Sequence, residues 1–452
     1  MAAESNRKRF QGPKGSRDFF PAEMAWRRYL ERVWRRVSIR HGFDEIEGPT
    51  FESLELYTVK SGEGIVSELF SFQDRGGRDL ALRPEFTPTL ARMVVAQGAA
   101  YPKPIKWFAI PLHYRAERPQ RGRLREFIQW NVDLLGDDSP QADCEVLGVA
   151  IDLLAELGLS RELVRVKVSH RGAVSNFLRT LGLSDDALDA AFALLDKRDK
   201  IPVEVFQSEA GGLGLSSEAI ERFDAFSRSS TTADRPWEEV LAHLGAPEDD
   251  LADLRPLHEI LNSTGLAGWC EYDLGIVRGL AYYTGMVFEI RDAGGEERAV
   301  AGGGRYDRLI ETFGGQPMSA CGFGMGDVVL SLMLEDHGLK PDPEEILPAP
   351  DAFLLSLGRA DAERLLPRML HDLRGAGLHA RRSYRSTRNL GKLLKEAAGA
   401  RSRFAVILGD ELESDRVVVK DLESGDQFEL SVHRVAETLL TRLGRFGARG
   451  LD

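Results

Sequence analysis

"PIKWFAIPLHYRAERPQRGRLREFIQWNVDLLG", residues 104–136, runs from an apolar strand-like stretch into an arginine-crowded loop and back along a second strand-like stretch. The return limb alternates with a period of two, which places Phe127, Gln129, Asn131 and Asp133 on one face of a strand. Between the limbs stand Arg115, Arg118, Arg121, Arg123 and Arg125, offset by Glu117 and Glu126. A solvated hairpin tip is one reading of such a charge run, and a phosphate-binding loop is the other. The second is favoured by the excess of Arg over Lys, because the planar guanidinium fork meets phosphate oxygens two at a time. Arg115 also precedes the loop on a strand that begins apolar, where a merely solubilising charge is out of place.

Upstream, "PAEMAWRRYLERVWRRVSIRHG" carries apolar residues at helical spacing and stops near Gly42. "FDEIEGPTFES" reads as strand and turn interrupted by Pro49. "LALRPEFTPTLARMVV" reads as strand, proline turn and helix, with Thr87 as N-cap and Pro88 at N1. Downstream, acidic-started helical segments fill residues from about 165 to 265, and strand-like patterning resumes at "WCEYDLGIVRGLAYYTGMVFEI". A Pro/acidic stretch, "GLKPDPEEILPAPD", reads as a linker. Beyond it strand and helix alternate as in a compact α/β domain, with a kink expected at Pro367.

At 452 residues the chain is long enough for two or three domains. Its 43% hydrophobic and 29% charged content is that of a soluble globular protein. No apolar run approaches a membrane span, and no signal or transit peptide is evident, so a cytoplasmic protein is expected. Cys144, Cys270 and Cys321 lie far apart, which supports neither a disulfide framework nor a zinc site. The nine histidines show no metal-ligand spacing. A net charge of −12 argues against nonspecific coating of nucleic acid but leaves local arginine clusters free to bind phosphate.

Three further stretches carry chemistry-bearing side chains. "LRPEFTP" sets Arg83, Glu85 and Thr87 in a strand-to-helix turn, either as surface charge at a capped helix or as a carboxylate and hydroxyl offered to an amino group. "DLGIVRGLAYYTGMVFEI" places Arg278, Tyr282 and Tyr283 on a glycine-punctuated turn. "AGGGRYDRL" and "ACGFGMGD" are glycine-rich without dinucleotide-loop spacing, so close backbone approach to a helix or ligand is the better reading.

Taken together these stretches resemble the histidyl-tRNA synthetase family of class II aminoacyl-tRNA synthetases over nearly the whole chain. "GPKGSRDFFP" is similar to its N-terminal signature, "GFDEIEGPTFES" to the first class II motif, "YRAERPQRGRLREF" to the second, and "GFGMGD" to the start of the third. "RGLAYYTGMVFE" and "AGGGRYDRL" resemble the two stretches peculiar to the histidine enzymes. The resemblance implies an α+β fold: a class II core with an antiparallel sheet flanked by helices, a helical insertion, and a C-terminal α/β anticodon-binding domain. The implied divisions are 1–164 and 266–337 for the core, 165–265 for the insertion, 338–350 for a linker and 351–452 for the last domain.

It also implies roles. Arg278 and Arg115 would be catalytic, stabilising charge at the α-phosphate of ATP. Glu85, Phe86, Thr87 and Gln129 would hold the α-amino end of histidine, with Arg115 and Arg278 at its carboxylate. Asp133, Tyr282, Tyr283 and Tyr306 would surround the imidazole. Arg115, Glu117, Arg123, Phe127 and Arg305 would bind ATP, with magnesium carried in by the nucleotide, Glu117 within its reach, and no tightly bound cofactor. Arg118 and Gln120 would meet the 5′ end and discriminator of histidine tRNA, and Arg381, Arg382, Arg385 and Arg388 the anticodon stem-loop. A homodimer is implied by the first motif. The alternative is a non-catalytic, synthetase-like regulatory subunit of ATP phosphoribosyltransferase. Such paralogues typically lose the counterpart of Arg278, the tRNA-facing loop and the C-terminal domain, all of which this chain keeps. The chain departs from the family pattern at Ala281 (commonly Asp), Asp133 (commonly Glu) and Val329, where the third motif usually carries a γ-phosphate arginine; Arg305 is the candidate substitute.

Overall fold

The computed structural model describes residues 10–61, 63–198, 201–277, 282–294 and 298–445. The chain divides into two compact units, 1–342 and 343–452. The first is built on a ten-stranded sheet. In chain order its strands and those of a small companion sheet are β1 (Asp44–Glu45), β2 (Phe51–Ser53), β3 (Ser71–Gln73), β4 (Asp79–Leu82), β5 (Ile105–Ala109), β6 (Leu112–Tyr114), β7 (Glu126–Leu135), β8 (Val164–His170), β9 (Ser230–Thr232), β10 (Cys270–Asp273), β11 (Met286–Asp292), β12 (Ala301–Arg305) and β13 (Ala320–Gly326). The large sheet runs β1-β5-β7-β13-β12-β11-β8-β10-β9, with β6 paired to β7. From β5 to β8 every neighbouring pair is antiparallel, whereas β1–β5 and β8–β10 are parallel. Strands β2, β4 and β3 form a separate three-stranded sheet that sequence reading did not anticipate.

The alternation on β7 decides what each face of the sheet does. Ile128, Trp130, Val132 and Leu134 enter the main core with helices Pro21–Arg40 and Pro140–Glu156. Trp130 stacks on Trp34 at 6.1 Å and donates its indole N–H to Ser38 Oγ at 2.9 Å, so this large buried ring also satisfies its polar atom. Each fully buried Leu, Val or Phe here contributes about 1.5–3 kcal/mol. The other face carries Phe127, Gln129, Asn131 and Asp133. It is partly roofed by helix Thr87–Gln97, whose Leu90, Ala91 and Val94 pack with Trp107, Tyr283 and Tyr306.

Two elements differ from expectation. Helix Thr87–Gln97 starts at Thr87 itself, with Phe86 as N-cap, so Thr87 is not the cap and Pro88 falls one place further in. Strand β8 lies well inside the large sheet, between β11 and β10. The stretch expected as an insertion from 165 therefore opens on a central strand, and its helices begin at Arg171. "VRVKVSH" alternates as a strand should, but the acidic helices after it dominate the composition of the window.

The second unit holds β14 (Ala352–Ser356), β15 (Ala380–Arg382), β16 (Phe404–Leu408), β17 (Arg416–Asp421) and β18 (Gln427–Ser431), ordered β15-β14-β16-β17-β18. One face packs on helices Ala360–Gly375 and Val435–Arg442, the other on Leu390–Gly399. The first of these helices continues across Pro367.

Candidate active site

The site lies on the β7 face that carries Asp133, and its floor is made by omission. Along β13, Cys321, Phe323 and Met325 point into the core, while Gly322 and Gly324 alternate with them on the other side. A Cβ on Gly322 would stand 2.2 Å from Asp133 Oδ1, and one on Gly324 would stand 2.8 Å from the Gln129 amide. A Cβ on Gly304 would come within 3.0 Å of Tyr283 Cδ1. Bare strands let the side chains of β7 lean across, and this accounts for the glycine-rich stretches without any dinucleotide loop.

Asp133 is fully buried and accepts a short hydrogen bond from Tyr306 Oη. Burial raises its carboxyl from the ordinary 3.8 to about 7, partly countered by the Tyr306 hydrogen bond. The Tyr306 phenol is itself pushed well up, first by burial and then by the adjacent carboxylate. Tyr282 completes the aromatic wall, 4.8 Å from Tyr283 and edge-on to Tyr306 at 5.9 Å. A buried acid beside phenolic hydroxyls suits a small heteroaromatic ligand with a polar atom on each edge. Glu85 and Thr87 stand half-buried at the mouth of helix Thr87–Gln97, and Phe86 is buried beside them.

Arg83, between the same strand and helix, is a staple rather than a ligand contact. It donates to Leu112 O, Gly48 O and Glu47, each at 2.8 Å, fixing the stretch around Pro49 to the sheet.

The hairpin between β6 and β7 presents the arginines. Arg115 donates to Pro84 O at 3.2 Å and its guanidinium lies 5.0 Å from the centre of the Phe127 ring. That ring also stacks on His113 at 5.5 Å. His113 is held neutral by burial, reinforced by the charges of Arg83 and Arg115. Arg123 pairs with Glu117, and Arg118, Gln120 and Arg121 are exposed at the tip. The hairpin is sutured from below: Gly15 O accepts the Arg125 and Glu126 N–H groups at 2.8 and 3.3 Å. Arg17 reaches Asp327 at 2.7 Å, and the other oxygen of Asp327 accepts the Ile128 N–H at 2.9 Å. Sequence reading missed this strap, because Arg17 and Asp327 stand too far apart in the chain for spacing to couple them.

Arg305, expected at ATP, points away from the face of the sheet that carries Asp133. Its guanidinium turns toward helix Pro140–Glu156, donating to Asp143 at 3.0 Å, Asp137 O at 3.0 Å and Ser139 O at 3.1 Å. Neighbouring residues of an extended chain point opposite ways, so Tyr306 facing Asp133 commits Arg305 to the helices. Val329 is buried in the main core. Arg278 and Ala281 lie outside the described residues, and among the described residues no cluster of His, Cys, Asp or Glu could hold a metal ion. No described helix is long and apolar enough to cross a membrane. All three cysteines are buried and unpaired with one another.

In the second unit, Arg382, Tyr384, Arg385 and Arg388 line a cleft of about 420 Å³ beyond the ends of β14 and β15. Tyr384 is 78% exposed with the Arg382 guanidinium 4.3 Å from its ring. Arg385 pairs with Glu396 at 3.3 Å, and Arg381, also exposed, donates to His379 at 3.2 Å.

Comparison with known proteins agrees with this geometry. The family profile for histidyl-tRNA synthetase matches residues 15–327, and that for an anticodon binding domain matches 351–442. The histidine–tRNA ligase of Natronomonas pharaonis is 40% identical over 425 residues, covering 93% of this chain and 96% of that one. The chloroplastic/mitochondrial histidine–tRNA ligase of Arabidopsis thaliana is 35% identical, covering 93% and 85%. Among solved structures, the histidyl-tRNA synthetase of Nostoc sp. PCC 7120 superposes with a TM-score of 0.75 at 25% identity, covering 96% of this chain and 100% of that one. A Bacillus halodurans protein described as an ATP phosphoribosyltransferase regulatory subunit/histidyl-tRNA synthetase gives 0.68 at 25% identity, covering 86% and 96%. With the family profile spanning most of the chain and relatives this similar over nearly all of it, the chain belongs to the histidyl-tRNA synthetase family.

Proposed function

We propose that this chain is an aminoacyl-tRNA ligase that activates L-histidine with ATP and passes it to histidine tRNA. A carboxylate oxygen of histidine attacks the α-phosphorus of ATP, the bond to the bridging oxygen of pyrophosphate breaks, and histidyl-adenylate forms. A hydroxyl of the 3′-terminal adenosine of the tRNA then attacks the activated carbonyl and AMP leaves. The observation that carries this reading is the buried Asp133–Tyr306 pair over the cleared strand, beside the Arg115 hairpin.

Asp133, Tyr283 and Tyr306 take the imidazole edges, with Tyr282 as wall. Glu85, Thr87 and Gln129 take the α-amino group. Arg115, and Arg278 from its turn, oppose the charge that builds on the α-phosphate, an electrostatic role that moves no proton. Phe127 supports the adenine, Arg123 exchanges Glu117 for triphosphate oxygens, and Glu117 becomes free for the magnesium that arrives with ATP. Arg118 and Gln120 meet the acceptor end of the tRNA. The cleft around Tyr384 takes anticodon bases, with an aromatic face for stacking and arginines for phosphates. Phe51 and Phe72, half exposed and edge-to-face at 6.2 Å on the small sheet, are suited to burial against a second copy in a homodimer. We place the enzyme in the cytoplasm.

The test is histidine-dependent exchange of pyrophosphate into ATP on the purified protein. Exchange with histidine and not with other amino acids supports the ligase. Histidine binding without exchange points to the regulatory paralogue instead.

A further inference from the structure

Tyr283 and Tyr306 come from different turns, yet the residues that follow them hold each other. Thr284 Oγ1 donates to Asp307 Oδ2 at 2.7 Å and accepts the Asp307 N–H at 3.1 Å. The Thr284 N–H donates to Arg305 O at 2.8 Å. Asp307 Oδ1 accepts from Arg305 Nη1 and from the N–H of Ala320, the first residue of β13, both at 3.3 Å. One carboxylate thus joins the turn after Tyr283, the turn after Tyr306 and the strand that bears Gly322. Behind it, Arg305 is anchored on the first turn of helix Pro140–Glu156 through Asp143.

We infer that Thr284 and Asp307, buttressed by Arg305, are positioning residues that set the two phenols against Asp133 and so fix the enzyme's selectivity for histidine. This rests on the histidine reading of the pocket. A turn whose only task were closure could be held by backbone bonds. A buried guanidinium–carboxylate pair carries a desolvation cost, and geometric definition of a neighbouring site is a return that matches its place here. The phenols must meet ring nitrogens within about half an ångström, and displacement by about 1 Å is enough to cost on the order of a hundredfold.

The experiment measures histidine Kd by calorimetry together with exchange kinetics and Tm for the wild type, Thr284→Val, Thr284→Ser and Asp307→Asn. Thr284→Val keeps the shape and loses the hydroxyl. It should weaken histidine about tenfold or more, in Kd and in KM, while the KM for ATP stays within about twofold. Thr284→Ser should restore both, and Asp307→Asn should fall between. An equal rise in both KM values, or unchanged histidine affinity in Thr284→Val and Asp307→Asn, would overturn the inference. A wild type that neither binds nor activates histidine would instead sink the functional reading, and the inference with it.

Discussion

The two ends of the candidate site are built on opposite plans. Around Asp133 the central groups are buried and locked: a carboxylate on a phenol, phenols anchored by the residues beside them, and a strand left bare on the face that carries Asp133. On the hairpin the groups are arginines at a partly exposed tip, Arg123 paired with the hairpin's own Glu117 and Arg121 with Asp336. The difference matches two tasks. Selecting one side chain among many needs polar atoms that are costly to leave unpaired. Gripping a triphosphate, as proposed for the hairpin, would need charge that can let go of one partner and take another, and the Arg123–Glu117 pair fits that requirement.

Arg115→Ala should break the nucleotide end most severely, with exchange kcat falling about 10³-fold. Histidine affinity measured by calorimetry should fall far less, since Arg115 would touch only the carboxylate end; an equal collapse of both would show that the ends are not separable. Asp133→Asn should break the other end, lowering kcat/KM for histidine by about 10²–10³ with the KM for ATP unchanged. The same variant carries a stability signature. Because burial raises the folded carboxyl from 3.8 to about 7, the folded state holds the proton more tightly than the unfolded chain, and wild-type stability falls as pH rises through that window. The Tm of Asp133→Asn relative to wild type should therefore climb between pH 4 and 7 and level off above; a flat difference would mean the carboxyl is not so perturbed.

Gly322→Ala should displace Asp133 without touching substrate, raising the histidine KM about tenfold and costing about 1–3 kcal/mol of stability in denaturant titrations. Arg123→Ala should do least: a few-fold rise in the KM for ATP, an unchanged KM for histidine and an unaltered Tm, since a partly exposed pair contributes about 0–1 kcal/mol. If Arg123→Ala outweighed Gly322→Ala, the contrast between a rigid end and an adaptable end would fail.

Much of this was legible before the fold was known. The period-two pattern on residues 127–133 assigns their shared face because strand parity is strict, and the arginine hairpin declares itself by composition. What stayed hidden depends on cross-strand register. Gly322 and Gly324 read as places of close backbone approach, but what approaches them is seen only when β13 is laid beside β7 and the side chains they spare come into view. Arg305 is the candidate substitute for the arginine missing at Val329, yet its adjacency to Tyr306 already turns it away from the face that carries Asp133. The missing arginine at Val329 has a plain local account. The position is part of the packed core, so restoring an arginine there would bury a charge among Leu330, Met333 and Leu334.

Strands β8 and β10 lie side by side and run the same way, although the helices of 171–269 separate them in the chain. Parallel neighbours cannot be joined by a tight turn; a crossover of a dozen or more residues is the least that geometry allows. The helical segment is therefore a mandatory bridge, and it is longer than the connection alone requires. Its size is not free, because Phe177, Phe206, Phe223, Leu254 and Leu261 share one core with Val166 and Val168 of β8 and Tyr272 of β10, while β9 covers the outer edge of β10. Only its exposed faces can change without disturbing what packs against the sheet.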